Sequence, residues 1–153
     1  MNTAHLHLMF NHLPIVGLGF AILLNLLAVF GKSPELKKIS CWFYILIGLL
    51  SMLAVFTGDG AGEIIQTYPG ISHDSIENHE NWGYIFFYGL LAIAMIAISA
   101  LWFSRKKQIL MEKFNIAMLI AALLVSGLAY ESGITGGKIS HPEIEKGIYQ
   151  KSL

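Results

Sequence analysis

Six histidines, His5, His7, His12, His73, His79 and His141, and a group of carboxylates that includes Asp59, Glu63 and Glu80 are the side chains best suited to chemistry in this 153-residue chain. Imidazole and carboxylate together, without thiolate, are the donors of Zn, Fe, Mn or Cu(II) sites. The single cysteine, Cys41, permits neither an internal disulfide nor a thiolate cluster and reads as an apolar helix residue. Between Gly58 and Asn81 lie Asp59, Glu63, Asp74, Glu77 and Glu80, with no Lys or Arg to balance them. Gathered at a low-dielectric boundary, such acids must take up protons or hold a cation.

Spacing narrows the choice. Asp59 and Glu63 are four residues apart and share one helical face. His79 and Glu80 are neighbours, about 100° apart around a helix, and His7 is turned from His12 by about 140°. His12, Glu63, His79 and Glu80 are therefore the expected ligands of a transition-metal ion or di-metal centre held between helices, with Asp59 and His141 in reserve. A second reading is haem b, with His12 and His79 as axial ligands and Gly17, Gly19 and Gly83 making room for the macrocycle. In a third reading the polar cluster is a structural plug or a docking surface for a larger complex. His5, His7 and His73 are assigned to that last group, as residues of an exposed terminus or a loop. No nucleophile motif is present, and the "TGDGAGE" of Thr57–Glu63 lacks the Lys-Ser/Thr ending of a phosphate loop. Nothing basic and aromatic indicates nucleic acid. Whether the chain is an enzyme stays open.

The elements that must position these residues follow from composition. Hydrophobic residues make up 55% of the chain and charged residues 13%, and that charged share is about half of what a soluble domain carries. Four apolar stretches, Leu13–Phe30, Ile39–Thr57, Trp82–Phe103 and Phe114–Tyr130, each approach the roughly 20 residues that cross a bilayer core. A spanning backbone must satisfy its own hydrogen bonds, so these are helices. The expected fold is an all-α membrane protein, a four-transmembrane-helix bundle over residues 1–132 followed by an extracytoplasmic tail over 133–153.

Several helices should outrun the membrane. The first, expected as a permanent helix from about Thr3 to Phe30, would be about 42 Å long against a core of about 30 Å. Pro14 removes the N–H that would serve the carbonyl of Phe10, which predicts a bend near His12. The second helix should continue through the glycines after Thr57, and the third should start near Ser75 with Asp74 as N-cap and Glu77 as its reciprocal acid. Trp42 and Tyr44, and Trp82 and Tyr84, read as interfacial anchors. Seven of the ten Lys and Arg residues lie in two short links, Lys32, Lys37 and Lys38 in one and Arg105, Lys106, Lys107 and Lys113 in the other. The positive-inside rule makes those links cytoplasmic and puts both termini, and all six histidines, outside.

The stretch His7-Leu8-Met9-Phe10-Asn11-His12-Leu13-Pro14 resembles the opening His-Pro-x-x-x-His-Phe-Pro of a family of small four-helix bacterial membrane proteins described as a domain of unknown function. "TGDGAGE" at Thr57–Glu63, "PGI" at Pro69–Ile71 and "IENHE" at Ile76–Glu80 are similar to one branch of it. The resemblance covers about the first two-thirds of the chain. It implies the four-helix fold and a bacterial inner (cytoplasmic) membrane, and it assigns no activity. Leu8 stands where the family has proline, which favours a continuous helix and argues against a metal role for His7. In this setting the expected role is redox or metal handling within the lipid bilayer, as electron transfer in the haem reading, in a homo-oligomer or in a respiratory or metal-handling membrane complex.

Overall fold

The computed structural model describes residues 2–105 and 108–141. Its helices are α1 (Thr3–Phe10), α2 (His12–Phe30), α3 (Pro34–Ile65), α4 (His73–Phe103) and α5 (Gln108–Ser140). With α1 and α2 counted as one interrupted segment, four helices are long and apolar enough to cross a membrane. The molecule is an all-α membrane bundle of four spans that run alternately up and down. The large apolar side chains Phe20, Leu27, Trp102 and Leu124 all point outward, as expected where the surrounding solvent is hydrocarbon.

Local signals explain the boundaries. At the start of α3, Ser33 accepts a hydrogen bond from the Leu36 N–H, Pro34 takes the first turn and Glu35 sits near the positive end of the helix. Helix α4 begins two residues earlier than the sequence suggests: Ser72 is its cap residue, and Asp74 lies inside the first turn. The aspartate thus acts on the helix dipole and does not cap it. Near His12, where a bend is expected from the sequence, only Asn11 separates α1 from α2, and it keeps helical angles (φ −61, ψ −30) and bonds back to the His7 carbonyl at 2.8 Å, so helical phase runs through. Helix α5 runs unbroken to Ser140, so the division drawn between residues 132 and 133 falls inside it, and Gly133, Gly136 and Gly137 are helical. Lys106, Lys107, Pro142, Glu143 and the rest of the tail lie outside the described residues.

Packing is closest where α4 meets α5 and α3, with α2 against α3 and α5 and α1 laid on α3. Leu18, Ile47, Leu90, Ile93 and Met118 form the centre, each at most 2% exposed. Two ends then differ in chemistry, and we call them the lysine end and the histidine end. Near the lysine end Lys37, 6% exposed, pairs with Glu112 at 3.1 Å. Ser40 donates to Asn115 Oδ1 at 3.0 Å, and Asn25 Nδ2 donates to the Asn115 carbonyl at 3.1 Å and to the Tyr44 oxygen at 3.4 Å. These bonds join α2, α3 and α5, the use of polar side chains typical of membrane interiors. Tyr44 is therefore a fully buried member of that belt and not an interfacial anchor, whereas its neighbour Trp42 is exposed. The 32 residues of α3 extend about 48 Å, well beyond a bilayer core of about 30 Å. The excess helps to build the histidine end.

Candidate functional site

At the histidine end the helices part around a cavity of about 720 Å³, within the roughly 300–1,000 Å³ common for small-molecule and cofactor pockets. Its walls are mostly apolar and come from all five helices. Two imidazoles that border it meet edge to face: the rings of His7 on α1 and His79 on α4 are 6.2 Å apart between centres and inclined at 73°.

Each imidazole is tied down through the same nitrogen. His7 Nδ1 lies 3.0 Å from the Ala54 carbonyl oxygen, an acceptor only, so Nδ1 carries the hydrogen and donates it. His79 Nδ1 lies 3.1 Å from Thr135 Oγ1. The Thr135 hydroxyl also lies within bonding distance of the carbonyls of Glu131 (2.9 Å) and Ser132 (3.1 Å), so the tautomer of His79 decides which of the two side chains donates. His7, with Nδ1–H given to Ala54, presents a bare Nε2 lone pair. An imidazole with Nδ1–H held by an outer oxygen and Nε2 free is the arrangement that histidine adopts as a metal ligand.

Glycines let the rings in. A Cβ on Gly58 would lie 3.1 Å from His7 Cε1, and one on Gly136 would lie 2.9 Å from His79 Cε1. On the same face of α3 as Gly58, a Cβ on Gly62 would meet Glu80 Oε1 at 2.5 Å. "TGDGAGE" is thus a helical surface cut back to admit side chains of α1 and α4, which explains why glycines recur in an element that they otherwise weaken.

The expected ligands separate. His79 is central. Glu80 and Asp59 line the cavity, where Asp59 accepts a hydrogen bond from the Tyr84 hydroxyl at 2.9 Å and Tyr84 stacks on Tyr88. His12 and His141 also border it, but both are exposed. Glu63 is exposed and does not line the cavity, because Gly62 is the residue turned toward α4. The structure therefore does not unite His12, Glu63, His79 and Glu80 around one point. Among the described residues no set of three or more His, Cys, Asp or Glu side chains lies close enough to hold one ion. Of the glycines expected to make room, Gly83 borders the cavity, whereas Gly17 packs on Ile47 and Gly19 faces open space.

His7 and Thr135 are the residues that the sequence reading missed. His7 was read as a residue of an exposed terminus, with Leu8 in place of the family's proline counting against it, whereas the turn of about 140° between it and His12 holds and leaves His7 inward and His12 exposed. Its place as the first histidine of the opening motif was the available signal. Thr135 had none, since a threonine beside two glycines reads as loop.

No curated protein and no solved structure matches the chain. Residues 3–143 match a family described as "Predicted membrane protein (DUF2231)", and the chain belongs to that family.

Proposed function

We propose that the cavity at the histidine end holds a redox centre between His7 and His79, with b-type haem as the group that the residues fit best, and that the protein works in electron transfer. The observation that carries this reading is the pair of imidazoles from α1 and α4 that meet at the cavity with ring centres 6.2 Å apart, one held by Ala54 and the other by Thr135. Two imidazoles are the donors that would hold haem iron. Two protein ligands suffice for haem, whereas a His/carboxylate cage for a bare or paired ion needs more.

Bound haem supplies a one-electron couple. The chain's own part is to fix both imidazoles by Ala54 and Thr135, to clear space with Gly58 and Gly136, and to keep a mostly apolar wall around them. The charge distribution supports an orientation with the histidine end outside, since Lys32, Lys37, Lys38, Arg105 and Lys113 gather at the other end. The family resemblance supports the bacterial inner membrane as its location.

The test is an absorption spectrum of protein purified in detergent from haem-replete cells, with elemental analysis of the same sample. We expect a Soret band, lost in His7→Ala and His79→Ala and retained in His12→Ala and Glu63→Gln. A colourless sample with stoichiometric transition metal would replace haem by an ion on the same imidazoles. Retention of the band in both His7→Ala and His79→Ala would remove the assignment.

A further inference from the structure

We propose that the cavity is entered sideways from the bilayer by a quinol, a neutral hydroxylated ring on a hydrocarbon tail. The choice of a redox-active ligand over other neutral amphiphiles rests on the reading of the cavity as a redox site; the route and the headgroup chemistry do not. Helices α1 and α5 form opposite walls of the cavity, yet among the described residues they do not pack against each other. Helix α1 packs on α3 instead. From the gap between α1 and α5 a shallow apolar groove of about 460 Å³ follows the α2–α5 seam past Leu18, Gly19, Ala129 and Tyr130. Ile15 and Gly133 border both groove and cavity, so the two are continuous. A Cβ on Gly19 or Gly133 would touch nothing within 4 Å, so these glycines do not serve helix contact and leave the seam open for an occupant.

Charge selects the headgroup. The residues bordering the cavity include no Lys or Arg and two carboxylates, Asp59 and Glu80. A phospholipid phosphate would find no Lys or Arg there to pair with. A neutral ring needs none, and Asn11, on the cavity wall, offers it a buried Oδ1 that has no hydrogen-bond partner among the described residues. Such an acceptor is costly to leave unpaired, and a quinol hydroxyl satisfies it. The tail then lies in the groove against side chains as apolar as itself.

The experiment is photolabelling of the full chain in phosphatidylcholine nanodiscs with an azidobenzoquinol carrying a short isoprenoid tail, followed by peptide mapping. Label is expected on the α2–α5 seam around Ile15 and Gly133. Excess unlabelled quinol should reduce it severalfold, and so should Gly133→Phe, Gly19→Phe and Asn11→Leu. Equal excess phospholipid and Gly127→Phe, which adds bulk on α5 away from the groove, should leave it unchanged. Label spread evenly over the lipid-facing helices, or displaced by phospholipid, would overturn the proposal. The spectrum of the same sample separates the two readings: seam labelling without a Soret band removes the haem and leaves the quinol, and a Soret band without seam labelling does the reverse.

Discussion

Gly136 and Gly137 are adjacent, chemically identical and helical, yet alanine at the two positions should act in opposite directions. At Gly136 the new Cβ would stand 2.9 Å from His79 Cε1 and 3.4 Å from both ring nitrogens. Unstrained carbon contacts are about 3.5–4.0 Å, so the ring must retreat by roughly 0.6–1 Å. That movement breaks the 3.1 Å bond from Nδ1 to Thr135, a loss of about 1 kcal/mol, on top of an overpacking cost of about 1–3 kcal/mol. The gain in helix preference of about 1 kcal/mol returns part of it. Gly136→Ala is thus destabilising by about 1–3 kcal/mol in sum. At Gly137 the Cβ meets nothing within 4 Å, and only the gain remains, about 0.5–1 kcal/mol. For a chain of this length 1 kcal/mol corresponds to roughly 2–4 °C in Tm, so the two variants should differ by about 3–16 °C, with the wild type between them. Thermal unfolding followed by circular dichroism in detergent measures this directly. A shift of equal sign and size in both variants would refute the placement of His79 against Gly136. Any cofactor should be lost only from Gly136→Ala, because functional sites tolerate misplacement of only about 0.5 Å.

Other outcomes follow from the same contacts. Gly58→Ala should likewise expel cofactor, since its Cβ meets His7 Cε1 at 3.1 Å, and the absorption spectrum reads it. At the lysine end, Glu112→Ala should cost about 2–3 kcal/mol by leaving the buried Lys37 ammonium unpaired, and Lys37→Met should cost less because Glu112 is half exposed and keeps its water; chemical denaturation compares the two. Asn25→Leu should cost less than about 1 kcal/mol in the same assay, because it removes an unpartnered Oδ1 together with two donated bonds.

The spans and the helical run through "TGDGAGE" were legible in the sequence because hydrophobic length acts locally. Helical phase is kept across Asn11, and the inward positions His7, Asn11, Pro14 and Leu18 follow it; what spacing alone could not tell was which face, that of His7 or that of His12, meets the bundle. Glu63 failed for a related reason: the face of a helix that meets its neighbour is set by the whole bundle, and here the neighbour chose Gly62. Tyr44 could not be told from an interfacial tyrosine without knowing that Asn25 and Asn115 would come to it from other helices. The His79–Thr135 bond joins residues 56 apart, and no periodicity within either helix reveals it.

The last two turns of α3 hold Gly58, Gly60 and Gly62, a local deficit of about 3 kcal/mol in helix preference against alanine. That wall of the cavity stands because Thr3, His7 and Glu80 lean into it, so its order is borrowed from α1 and α4. Amide hydrogens of 58–65 should exchange sooner than those of 40–50 on the same helix, and the rim around the imidazoles should be the first part of the bundle to loosen when either neighbour withdraws.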